Sequence, residues 1–119
     1  MNHLIQKSLV IGSMLVAMVG CASNETKPSA LQDVINQQER LQQDYQVANN
    51  AVVELDKLGR YVANANSAWQ EGNDEEFEHQ VYLAARQSEI TESSGMAQHY
   101  RNEIDKMSEN RQRLMVEAK

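Results

Sequence analysis

From Ser29 to Lys119 the chain contains no proline and only three glycines, Gly59, Gly72 and Gly95. Turns that reverse a strand draw on Gly, Pro, Asn and Asp, so a chain this poor in punctuation lacks the means for an all-β fold. Long helices are what remain. The apolar residues repeat with helical spacing, as Leu31, Val34, Ile35, Leu41 or Gln42 and Tyr45, and again as Val52, Leu55, Leu58, Val62, Ala65 and Trp69. A length of 119 residues suits one small domain. Leu, Ile, Val and Phe make up 17 of residues 21–119, so the core is thin and helices sharing one apolar seam suit it better than a globule.

The start of the chain reads as an address rather than as fold. Lys7 and the α-amine precede an uncharged run from Ser8 to Gly20, which is too short for the roughly 20 residues of a membrane-spanning helix. It fits the apolar region of a secretory signal. The run closes on Met18-Val19-Gly20-Cys21, which resembles a bacterial lipobox. Small residues before the cysteine admit an extended backbone to a peptidase cleft, and a thiol can form a thioether to lipid. The competing reading, a buried free cysteine ending a core helix, leaves the order of charge, apolar run and cysteine unexplained. The resemblance implies cleavage after residue 20, lipidation of Cys21 with diacylglyceryl and a further acyl chain, and no other cofactor. Two or more chains anchor stably where one does not. Ala22 stands where an inner-membrane retention aspartate would, which favours the outer membrane and a domain facing the periplasm.

Residues 21–28 form a polar tether, and 29–119 form the helical domain, with helices expected near 29–48, 51–71 and 75–119. Ser29 and Gln32 have capping-box spacing, as do Asn73 and Glu76. Asn49-Asn50 is the expected break between the first two helices, but without Gly or Pro it leaves one continuous helix open. Gly72-Asn73-Asp74 is the clearest turn, with Gly72 suited to a left-handed helix end. Trp69 and Phe77 flank it, and Tyr61, Trp69, Phe77 and Tyr82 are expected in the core. Ser93-Ser94-Gly95 is a candidate kink in the third helix. Leu83, Ile90, Ala97 and Ile104 fall seven apart, as do Tyr100, Met107 and Leu114, a coiled-coil-like seam interrupted by Arg86, Ser93 and Arg111. The expected fold is all-α: an elongated helical hairpin or three-helix coiled-coil-like bundle whose long C-terminal helix outreaches the others.

Ala51-Val52-Val53-Glu54-Leu55, Ala68-Trp69, Glu71-Gly72-Asn73-Asp74, His79, Tyr82-Leu83-Ala84-Ala85-Arg86-Gln87 and Glu109-Asn110-Arg111-Gln112-Arg113-Leu114 together resemble a helical domain of unknown function. That domain occurs in Gram-negative envelope lipoproteins, often directly before an OmpA-like peptidoglycan-binding domain. Val52 stands where the family often has proline. The chain carries no counterpart of the OmpA-like domain, so none of its peptidoglycan-binding residues is carried over. A stand-alone protein and the leading part of a longer one both stay open.

A net charge of −6 argues against nucleic acid as a partner, and one cysteine against a disulfide framework or a multi-cysteine zinc site. His99 and Glu103 are spaced to share a helix face, but two ligands fall short of the three that catalytic zinc needs, and solvated surface histidines are the simpler reading of His79 and His99. Ser93-Ser94-Gly95 lacks the strand and turn of a nucleophile elbow. The acidic cluster at Glu75, Glu76 and Glu78 is explained by a helix start. No catalytic residues emerge, and the chain reads as a non-enzyme. The leading expectation is a lipid-anchored structural or adaptor lipoprotein. Ile104, Met107 and Leu114 would be its partner contacts, to envelope proteins, peptidoglycan or another copy of itself. The alternative is a tether like murein lipoprotein, joined to peptidoglycan through Lys119.

Overall fold

The computed structural model describes residues 26–119. The signal segment, Cys21 and the first part of the tether lie outside the described residues. Among the described residues four helices follow in order: α1 (Ser29–Gln43), α2 (Tyr45–Ala48), α3 (Val52–Gln70) and α4 (Asp74–Glu117). The described residues hold no strand. The fold is all-α and elongated. α3 and α4 form an antiparallel hairpin, α1 packs against both, and α2 sits mainly on α4. At about 1.5 Å per residue, the 44-residue α4 is roughly 66 Å long, more than twice the length of α3.

The hairpin turn forms as its residues dictate. Gly72 takes a positive φ of 69°, the left-handed conformation that ends α3. The Asn73 side chain then accepts a hydrogen bond from the Glu76 amide at 3.2 Å, capping α4. Asp74, Glu75 and Glu76 place negative charge in the first turn, against the positive end of the helix dipole. The box is only half closed, because the Glu76 carboxylate accepts from Gln80 at 2.7 Å instead of reaching back.

Other local expectations are corrected. Ser29 is the first residue of α1 and not its cap, since the helix begins after Pro28 with no side-chain cap, and the Gln32 amide donates to Asn36. Pro28 stands at the cap with an extended ψ of 144°, and its ring carries no group that could accept from the first-turn amides. The first stretch is not one helix over 29–48. It breaks at Asp44, whose extended backbone (ψ 105°) ends α1 and whose carboxylate accepts from the Gln46 amide at 3.0 Å to open α2. The break at Asn49-Asn50 is present as well, with Asn50 donating to the Gln46 carbonyl at 2.7 Å. Ser93-Ser94-Gly95 does not interrupt α4, which is helical throughout.

The core is narrow. Leu31, Val34 and Leu41 of α1, Val47 of α2 and Leu58, Val62 and Ala65 of α3 are buried together with Ala51 and Ala84. Trp69, Phe77 and Tyr61 are half-buried against it. Tyr45, Val52 and Tyr82, expected on the inner stripes, are instead more than 60% exposed. The break at Asp44 shifts the phase of the following turn, so Val47 rather than Tyr45 faces inward.

The largest correction concerns α4. Its face toward the bundle is not the heptad of Leu83, Ile90, Ala97 and Ile104. The buried positions are Gln80, Ala84, Gln87, Ser88, Thr91 and Gly95. Buried amides and hydroxyls cost stability unless bonded, and these are. Gln80 accepts from Asn64, Gln87 donates to the Glu54 carbonyl and to Thr91 Oγ1, and Ser88 donates to the Ala84 carbonyl. Small residues and short hydrogen-bonded chains let α4 lie close to the other helices.

Candidate partner-binding surface

Successive residues of a helix are turned by about 100°. The row formed by Leu83, Ile90, Ala97 and Ile104 sits one residue ahead of the inner row and therefore points sideways and away from the bundle. Leu83 is half-buried, Ile90 is 52% exposed and Ile104 59%. Tyr100, Met107 and Leu114 continue the same outward side. An apolar row thus runs along a helix whose inner face is largely polar.

The bundle releases α4 at Asn102. There the Asn102 amide donates to Asn50 at 3.1 Å and accepts from Gln98 at 2.9 Å, the last link among the described residues between the helix and the other elements. One turn earlier His99 is half-buried, its ring edge-on to Tyr45 with centroids 6.3 Å apart. Residues 104–119 are exposed all round. They form a projecting arm of about four turns. The inner row becomes charged as soon as it has nothing to cover: Asp105, Lys106, Glu109 and Arg113 follow Asn102 at the same spacing. The outward row keeps its apolar character. A shallow groove on it is lined by Met107, Asn110, Arg111, Leu114, Met115 and Ala118.

Ile104, Met107 and Leu114 therefore share one exposed side of the arm. Lys119 is exposed at its far end. His99 and Glu103 are not brought together as a ligand pair, because Glu103 accepts from Lys106 at 3.2 Å while His99 packs among Tyr45 and Tyr100. His79 is exposed beside the acidic turn of α4. Among the described residues no three His, Cys, Asp or Glu side chains are grouped to hold a metal. No described helix is long and apolar enough to cross a membrane.

Sequence reasoning missed the one ion pair that, among the described residues, joins distant segments. The two terminal guanidinium nitrogens of Arg40 donate one to each oxygen of the Glu92 carboxylate at 3.2 Å, tying α1 to α4 across 52 residues of sequence. This hydrogen bonding raises the Arg40 pKa above its ordinary value, with the charge of Glu92 adding to the effect. Both side chains are about half exposed, so the pair is worth at most about 1 kcal/mol and serves mainly to set how α1 lies. Nothing at short range in the sequence marks it.

Comparison with family descriptions, with curated proteins and with solved structures finds no match.

Proposed function

We propose that this chain is a lipid-anchored structural or adaptor lipoprotein of the outer membrane, facing the periplasm. A short tether would carry a helical body whose arm contacts a partner in the envelope. The observation that carries the adaptor role is the projecting end of α4, where the apolar row persists after the bundle has ended. A helix fragment of this kind frays in water unless another surface covers it. The lipobox-like Met18-Val19-Gly20-Cys21 supports the anchor, and Ala22 in place of a retention aspartate supports the outer membrane.

The test of the anchor is Cys21→Ser. The variant should accumulate as unprocessed precursor, and labelling by a fatty-acid probe should fall to background. Normal processing with unchanged labelling would end the lipoprotein reading. The alternative reading is a tether joined to peptidoglycan through Lys119, which is exposed. It requires that digestion of purified peptidoglycan release the chain joined to muropeptide and that Lys119→Arg abolish this. Release of the chain by detergent alone leaves the adaptor role.

A further inference from the structure

We propose that the arm of α4 pairs antiparallel with the same arm of a second copy of this chain. This deepens the adaptor reading of the arm and does not depend on the anchor at Cys21. Charge selects the occupant and its register. A parallel pair of arms would stack Arg111 on Arg111 within the seam, and like charges in direct opposition are unfavourable. In the antiparallel pair centred between Ile104 and Met107, Ile104 meets the second copy's Met107 and Ala97 meets its Leu114. Arg111 meets its Tyr100, and a guanidinium over an aromatic face is attracted to it. Alongside the seam, Glu103 lies next to the second copy's Asn110, and Arg101 next to its Ser108. No like charges face each other. Sliding the pair by one heptad in one direction sets Glu103 against Glu117, and in the other it sets Glu103 against Glu103 and Arg101 against Arg101. One register survives.

The size of the surface fits a reversible pair. Tyr100, Ile104, Met107, Leu114 and Met115 are each about 60% exposed, which offers roughly 100 Å² apiece and roughly 1,000–1,200 Å² in total from two copies, the lower edge of specific interfaces. The charged row of Asp105, Lys106, Glu109 and Arg113 stays on the solvent side of the pair. A polar outer face and an apolar inner one are what a two-helix contact requires.

The experiment places the photo-crosslinking residue p-benzoylphenylalanine at position 114, and separately at 97, of the full chain in the cells that make it. Within one straight helix these positions are about 26 Å apart, beyond the reach of the probe. Illumination should give a species of twice the chain's mass, with the probe at 114 joined to residues around 97 of the other copy and the reverse for the probe at 97. Adding Ile104→Asp should lower the yield at least tenfold while far-UV circular dichroism keeps its helix content. A link from 114 to residues around 114 would show a parallel pair and overturn the proposal. So would links only to other proteins, or none. The fate of the Cys21→Ser precursor bears on the anchor alone, so the two ideas fail separately.

Discussion

Leu58→Ala should cost about 3 kcal/mol of folding stability, whereas Ile104→Ala should change it by less than about 0.5 kcal/mol. Leu58 is fully buried at the centre of α3, within the cluster that joins α1, α2 and α4. Removing its isobutyl group loses the transfer free energy and leaves a void that the short helices around it close only in part. The loss is large relative to the whole. A domain of this size is stable by something like 5 kcal/mol at the low end, and the thin core puts it there. Among the described residues the buried apolar side chains larger than alanine are only Leu31, Val34, Leu41, Val47, Leu58 and Val62. Ile104 carries as many carbons as Leu58 but is 59% exposed on the arm. Chemical denaturation followed by circular dichroism separates the two. Equal losses at both positions would mean that the arm folds back onto the body and that its apolar row belongs to the core.

The contrast between these residues also marks what could be read in advance. The hairpin at Gly72-Asn73-Asp74 was legible because its chemistry is local: a positive φ and a capping amide need no distant partner. The exposure of Ile104, Met107 and Leu114 was legible because helix length alone carries α4 past α3. The inner face of α4 was not. Spacing arguments pick out the largest apolar residues, and here those residues point outward. Gln87 and Thr91 are buried because the Glu54 carbonyl and their own neighbours satisfy them, and those partners exist only once the helices have packed. The break at Asp44 escaped for a related reason. Its signal is one carboxylate taking the Gln46 amide, in a stretch with neither Gly nor Pro, so the apolar spacing runs across it undisturbed. Likewise, the bond from Arg40 to Glu92 depends on how α1 crosses the hairpin, and nothing near either residue encodes that.

Gly95→Ala should destabilise the fold by about 1–2 kcal/mol, against the rule that alanine strengthens a helix interior by about 1 kcal/mol over glycine. A Cβ built at Gly95 would lie 2.7 Å from the Val47 Cα and 3.1 and 3.2 Å from that residue's Cγ1 and Cβ. The first of these is backbone and cannot rotate aside. Relief requires moving α2, a single turn held at one end by Asp44 and at the other by Asn50, with Val47 fully buried between them. Overpacking costs typically 1–3 kcal/mol, and a contact of 2.7 Å with backbone lies toward the upper end, so about 1–2 kcal/mol of loss remains after the gain in helix propensity. Gly59→Ala is the matched control. Its Cβ would meet only the Gln38 Nε2 at 3.2 Å, the far end of a flexible side chain. Gln38 can swing away, so this change should stabilise α3 by about 0.5–1 kcal/mol. Opposite shifts in the denaturation midpoints of the two variants are the expected result. If both rise together, α2 slides off α4 without penalty, and the close contact between Val47 and Gly95 contributes nothing to the stability of the folded chain.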